Sequence, residues 1–307
     1  MYETHFGLRE KPFSLIPDPD FLYLGRGHRV ALSLLQYGVS DQTGFVVITG
    51  EVGSGKTTLV RKLLQTAPKD LTVGLISNTH ASLGDLMTWI LKAYDLPATR
   101  GSKSDRYHCF VDFLVAQYAA GKRTILIIDE AQNLKPALLE EVRMLSNVNA
   151  DKHFVLQLIL VGQPELKETL KRKNLRQFAQ RISVFHDLTA LGPEDTAGYI
   201  RHRLGVAGGA PELFDEDACA AVHHYTVGTP RLINVLCDLA LVHAYADERQ
   251  SVNIDTVIDA VDARHSGGLI MFRVDAEELS RDARKDAILG ARRPPSSAPA
   301  TRSRATG

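Results

Sequence analysis

The chain has 307 residues, of which 44% are hydrophobic, enough for one large core or two modest ones. Lysine plus arginine equals aspartate plus glutamate at 36 each, so the overall balance demands neither nucleic acid nor an anionic membrane as partner. The start, Met1-Tyr2-Glu3-Thr4-His5, has no basic segment followed by an apolar one, and no run of about eighteen apolar residues occurs anywhere. A cytoplasmic protein without a membrane span of its own is therefore expected. Cys109, Cys219 and Cys237 lack C-x-x-C spacing and read as small buried hydrophobes in a reducing compartment. His223 and His224 would point to different sides of a helix, so no metal other than a nucleotide-borne Mg²⁺ is indicated.

The first forty-four residues combine Phe6-Gly7-Leu8, Pro12-Phe13, Pro17-Asp18-Pro19 and Phe21-Leu22-Tyr23-Leu24 with an amphipathic helix from His28 to Val39. They predict an irregular strap and a helix that either wall a ligand pocket or merely cover the core. Phe45-Val46-Val47-Ile48-Thr49 follows, a β-branched run without polar alternation, as expected of a strand covered on both faces.

That strand ends in Gly50-Glu51-Val52-Gly53-Ser54-Gly55-Lys56-Thr57-Thr58, after which Leu59 to Leu64 takes helical spacing. The glycines let successive amide N–H groups gather around phosphate oxygens, and the new helix turns its positive end toward them. Lys56 would supply a charge to the outer phosphates and the Thr57 hydroxyl a ligand to Mg²⁺. A chance match to this pattern in a chain of this length is on the order of one in a hundred, before the flanking strand and helix are counted.

Leu71 to Ser77 reads as a second strand, followed by helices from Ser82 to Tyr94 and from Ser104 to Ala120. The turn between them carries Arg100, Lys103 and Arg106, a basic stretch that is either a solvated loop or a contact for an anionic partner. Arg123 to Ile128 is an apolar strand that delivers Asp129 and Glu130 at its C-terminal end, where open α/β sheets hold their ligands. Asp129 would hold Mg²⁺ through its water shell and Glu130 would orient and deprotonate an attacking water, although a strand ending in Asp-Glu can also simply cap the next helix. A helix from Pro136 to Asn147 leads to a fourth strand, Phe154 to Val161, ending in Gly162-Gln163-Pro164. Gln163 is placed to sense a γ-phosphate or to serve as a turn residue. Arg176 and Arg181 lie just ahead of a fifth strand, Ser183 to His186, where an arginine finger for a neighbouring copy's γ-phosphate would sit.

From Leu191 only helices are expected, at Pro193 to Leu204, Asp215 to Tyr225, Pro230 to Ala246 and Ile254 to Arg264. Arg231 opposes the dipole of the helix it opens, which suggests an anionic partner such as a nucleotide phosphate. One more charged helix is predicted from Asp275 to Leu289, and Ala291 to Gly307, with four arginines and no acid, reads as a disordered basic tail.

Taken together, the Gly-rich loop, Asp129-Glu130, Gln163, an arginine before strand five and Gly228-Thr229-Pro230-Arg231 resemble an AAA+ ATPase. With Phe6-Gly7-Leu8, Pro12-Phe13, Pro17-Asp18-Pro19, Asp129-Glu130-Ala131-Gln132, Gly162-Gln163-Pro164-Glu165-Leu166 and Gln180-Arg181-Ile182, the chain is similar to the general secretion pathway protein A (ExeA) family over about residues 1 to 265. The subgroup associated with exosortase and exopolysaccharide loci is the one it most resembles. The resemblance implies a P-loop NTPase fold: a three-layer αβα ATPase core at 45–190 with a five-stranded parallel sheet, a helical lid at 191–265, and a charged helix and tail at 266–307. By it, Gly50 to Thr58, Asp129 and Arg231 would bind Mg-ATP, Glu130 would be the catalytic glutamate, Gln163 sensor one, Arg231 sensor two and Arg181 the finger, with Arg176 the weaker candidate. Longer members continue into a transmembrane segment and a periplasmic peptidoglycan-binding domain, whereas this sequence stops about forty polar residues after the expected lid, so peptidoglycan binding is not carried over.

The expected function is ATP hydrolysis by a multimer coupled to an envelope secretion or exopolysaccharide export system, at the inner membrane only through a partner. Two other outputs stay open: a DNA-stimulated ATPase of the transposition-regulator kind, and a nucleotide-gated scaffold that hardly turns over.

Overall fold

The computed structural model describes residues 1–41, 44–77, 85–97, 101–150, 153–268, 272–273 and 279–290. The chain divides into two compact units. One contains Leu15–Leu191 and Thr229–Arg231; the other contains Met1–Ser14, Gly192–Gly228 and the chain from Leu232 onward.

The first unit is built on five parallel strands, β1 (Phe45–Gly50), β2 (Leu71–Ile76), β3 (Arg123–Ile128), β4 (Gln157–Gly162) and β5 (Ile182–Leu188), in the order β2-β3-β4-β1-β5. Their burial follows from that order. β1 and β4 are buried at every position, β3 at all but its first, while the two edge strands are partly exposed. Because strand side chains alternate faces, each central strand feeds two cores. Phe45, Val47, Leu126, Ile128, Leu158 and Leu160 pack with Leu86, Ile90, Phe110, Leu139, Val142 and Phe178. Val46, Ile48, Ile125, Ile127, Ile159 and Val161 pack with Ala31, Leu35, Leu59, Val60 and Leu63. Helices α3 (Leu86–Ala93), α4 (Lys103–Ala119), α5 (Pro136–Leu145) and α6 (Pro164–Leu170) thus cover one face, and α1 (Arg26–Asp41) and α2 (Lys56–Gln65) the other. The three-layer α/β fold with a five-stranded parallel sheet is as the sequence implies.

Several boundaries move for local reasons. The helix expected from Ser82 is described from Leu86, with the Asp85 carboxylate accepting the Met87 N–H as its cap; residues 82–84 lie outside the described residues. The next helix starts behind a capping box in which Ser102 and Asp105 serve each other's backbone N–H. The cations near the turn have acidic partners: Arg106 pairs with Asp85 and Lys103 with Glu141, whereas Arg100 lies outside the described residues. The fourth strand starts at Gln157 rather than Phe154, because Phe154 is in a two-residue antiparallel ribbon with Asn149.

In the second unit α7 (Pro193–Val206), α8 (Glu216–Thr226), α9 (Pro230–Ala246, whose first two residues group with the first unit) and α10 (Ile254–Ser266) form the expected helical segments. Asp215 caps α8 and Asn253 caps α10. The last helix, α11 (Arg281–Gly290), bonds to α10 through Arg281, Arg284 and Lys285 on Asp255, Asp259 and Asp262. The expected start of this helix at Asp275 and the tail at 291–307 lie outside the described residues.

Residues 1–14, expected in one strap with 15–44, group instead with the helices. The guanidinium of Arg203, almost wholly buried in α7, requires acceptors and finds the carbonyls of Pro12 at 2.5 Å and Ser14 at 3.3 Å and the Tyr199 hydroxyl at 2.8 Å. Phe13 stacks edge-on against Phe214 at 5.8 Å, and the Tyr2 hydroxyl donates to the Asp238 carboxylate.

Ile159 sits at the middle of the central strand with 0% exposure. Ile159→Ala is expected to cost about 2–5 kcal/mol in denaturant unfolding with an unchanged slope; a loss below about 1 kcal/mol would contradict this core assignment.

Candidate active site

β3, β4 and β1 are neighbours in a parallel sheet, so the residues that follow them emerge side by side at one edge. Thr49 of β1 is level with Gly162 of β4, and Ile128 of β3 with Leu160. The Gly-rich loop, the Asp129-Glu130 pair and Gln163 are thereby gathered along the C-terminal edge, the side where open α/β sheets bind ligands.

The loop after β1 folds as its glycines allow. Gly53 and Gly55 take φ of +79° and +98°, and Gly55 stands immediately before the first residue of α2, Lys56. Gly50 has no room for a side chain, since a Cβ would lie 2.7 Å from the Leu188 carbonyl oxygen. The Lys56 ammonium, in a residue only 7% exposed, donates to the carbonyls of Gly50 at 2.6 Å and Glu51 at 2.9 Å. Burial draws its pKa down, against the charges of Glu130, Asp129, Glu51 and Glu165. Glu51 and Val52 are exposed at the loop tip, Ser54 is buried, and Thr57 and Thr58 are half-buried on the first turn of α2.

Thr57 Oγ1 donates to Asp129 Oδ2 at 2.9 Å, and the Glu130 N–H donates to the other Asp129 oxygen at 2.9 Å. Asp129 is 4% exposed; burial pushes its pKa up, opposed by these two hydrogen bonds and reinforced by the Glu130 charge. A carboxylate held with a hydroxyl in this way is a hard oxygen set suited to Mg²⁺. Glu130 itself takes φ +54°, a left-handed conformation that non-glycine residues adopt rarely. The sharp turn it makes lets it follow Asp129 at the strand end yet meet side chains beyond β4.

Two side-chain amides hold the Glu130 carboxylate. Gln132 Nε2 donates to Oε2 at 2.6 Å and Gln163 Nε2 donates to the same oxygen at 3.2 Å. Gln132 also accepts the Gln163 backbone N–H on Oε1 at 3.0 Å. Gln132 stood in the motif at 129–132 without a role, and His28 only as the first residue of a predicted helix. The structure puts the buried His28 ring against the loop, with Nε2 2.9 Å from the Ser54 carbonyl oxygen. No local pattern marks either residue.

The arginines fall in different places. Arg231 N–H donates to the Gly53 carbonyl at 3.2 Å, and a Cβ on Gly53 would be 2.5 Å from Arg231 Cβ, so the start of α9 touches the loop backbone directly. Arg181 and Arg176 precede β5, at the opposite end of the sheet. Phe45 is level with Ile182 and Gly50 with Leu188, so Arg181 is separated from the loop by the length of β1, roughly 20 Å at the usual rise. At that distance neither arginine would reach a phosphate held at the loop of its own chain. Arg181 donates to the Ser146 hydroxyl at 2.9 Å, and Arg176 is exposed.

Residues 39–170 match the model of the family AAA_22, described as an AAA domain. The chain is 42% identical over 247 residues to general secretion pathway protein A of Aeromonas hydrophila; the match covers 80% of this chain and 45% of that protein, so the chain spans about half the relative's length. Among solved structures it is similar to the ORC2 protein of Aeropyrum pernix in ADPNP–ADP complexes (TM-score 0.62, 18% identity, 85% of this chain and 72% of that one). It is similar also to Cdc6p of Pyrobaculum aerophilum (TM-score 0.65, 16% identity, 86% and 72%) and to the RuvB branch migration motor of Thermotoga maritima (TM-score 0.51, 18% identity, 88% and 78%). At these identities the solved structures establish the fold alone, a P-loop α/β fold of the AAA type. The chain thus carries an AAA domain and is similar to general secretion pathway protein A over 80% of its own length.

Proposed function

We propose that the chain is a Mg²⁺-dependent AAA+ ATPase that acts as a multimer and couples ATP turnover to an envelope secretion or exopolysaccharide export assembly. The observation that carries the catalytic reading is the meeting, along one sheet edge, of the Gly-rich loop, the Thr57–Asp129 hydrogen bond and the amide-held Glu130. The residues fit Mg-ATP: a positive-φ loop at a helix N-terminus, a buried ammonium in its hollow, and a hydroxyl–carboxylate pair beside it.

Mg-ATP, when bound, supplies the phosphoanhydride bond and a metal charge that links its phosphates to the protein. The amides of Gly53 to Thr58 would cradle phosphate oxygens, and Lys56 would exchange its two carbonyl acceptors for them. Thr57 would ligate the metal directly and Asp129 through water. Glu130 would take a proton from the attacking water, and the Gln163 amide would orient that water or the γ-phosphate. Arg181 would act on the γ-phosphate held by a neighbouring copy, where the distance within one chain is no obstacle, with Arg231 on the chain's own nucleotide.

The 42% identity to a general secretion pathway protein supports a secretion or export partner for the assembly. Among the described residues no helix is long and apolar enough to cross a membrane, so a peripheral position at the inner membrane would rest on that partner.

Glu130→Gln is expected to bind ATP within about threefold of the parent and to lose at least about 100-fold in kcat, read by steady-state phosphate release. Parental turnover would refute the role of Glu130. Arg181→Ala is expected to bind ATP like the parent and to lose about 10³-fold of the hydrolysis rate that appears on assembly. An undiminished assembly-dependent rate would move the finger to Arg176.

A further inference from the structure

Gln132 makes two side-chain hydrogen bonds at the site. Its Nε2 donates to Glu130 Oε2 at 2.6 Å while its Oε1 accepts the Gln163 backbone N–H at 3.0 Å. It is lodged where β4 ends: a Cβ on Gly162 would meet Gln132 Oε1 at 3.0 Å and its backbone nitrogen at 3.2 Å, so a side chain there would crowd that amide. One end of the side chain is thereby tied to the backbone of the β4 terminus and the other to the carboxylate. A primary amide is suited to this span because it presents a donor and an acceptor on one planar group.

The second amide on Glu130, from Gln163, is longer at 3.2 Å. When Gln163 shifts toward a γ-phosphate or the attacking water, its longer bond to Glu130 Oε2 is the weaker of the two amide holds, and the 2.6 Å bond from Gln132 still restrains the carboxylate. The left-handed turn at Glu130, φ +54°, adds to the need, since a residue in a sparsely populated conformation keeps it only when its surroundings hold it there.

Resting on the ATPase reading, we infer that Gln132 is a positioning residue for that reaction: it anchors the Glu130 carboxylate to the end of β4, so that the base keeps its orientation while Gln163 changes partner. Both of its side-chain hydrogen bonds go to protein groups. Its removal should act on turnover and not on nucleotide affinity, and only through Glu130.

The test is a double-mutant cycle on the full chain, with ATP affinity measured by equilibrium binding and kcat by phosphate release. Gln132→Leu, which keeps the volume and removes both bonds, should lower kcat about 10- to 100-fold with ATP affinity within about threefold of the parent. Gln132→Asn, an amide one methylene shorter, should fall between the two, and serves also should the leucine variant fold poorly. In a Glu130→Gln background the same leucine change should lower the remaining rate by less than about twofold, because the carboxylate it positions is gone. Losses that multiply would mean a general structural role and overturn the inference. So would parental kcat in Gln132→Leu beside a crippled Glu130→Gln. Parental turnover in Glu130→Gln would instead sink the reading of the site, and the inference with it.

Discussion

A lysine ammonium almost removed from water, with the Gly50 and Glu51 carbonyls as hydrogen-bond partners, is the constraint on which the rest of the site depends. Two carbonyl dipoles are a modest substitute for hydration of a full charge, and the direction of the Lys56 pKa shift, downward with burial, reports that deficit. The opposite deficit exists at Asp129, a buried carboxylate with its pKa pushed up. A polyphosphate with a divalent cation answers both at once, offering anions to the ammonium and a cation to the carboxylate. The cost of burying these groups in the protein is thus matched to a ligand of mixed charge, and this is why the site reads as one for a metal-bound nucleotide.

The sheet makes that pairing possible. Lys56 and Thr57 are seventy-odd positions from Asp129 in sequence, and Gln163 is a further stretch away; only the order β3-β4-β1 puts them on adjacent strand ends. β4 has a double part in this. Its residues are buried throughout, so its position between β3 and β1 is secured by both cores, and its terminus carries Gln163 and receives Gln132. Core packing and site geometry meet in that strand.

Much of this was legible in the chain itself. The three central strands were, because strands covered on both faces read as unbroken apolar runs, and so was the Gly-rich loop, because its residues lie in one short contiguous stretch. Asp129 and Glu130 were recognisable by their place at a strand end. What stayed hidden depends on contacts distant in sequence. Gln132 acquires its role from Gln163, thirty-one positions on, and the His28 contact with the loop spans twenty-six. The division of the chain after Ser14 turns on buried Arg203, 191 residues away from the Pro12 carbonyl it bonds. The helix start behind Asp85 is a competition among nearby capping residues, which differ by only about 1 kcal/mol and which composition does not decide.

The central claim is that the buried Lys56 ammonium exists to meet phosphate. The most direct measurement is equilibrium binding of Mg-ATP to Lys56→Ala, beside the parent, with circular dichroism to show that the fold is kept. The account requires affinity to fall by at least about 100-fold, the loss of a charge-assisted contact at a desolvated site. A folded Lys56→Ala chain that binds Mg-ATP as tightly as the parent would contradict it.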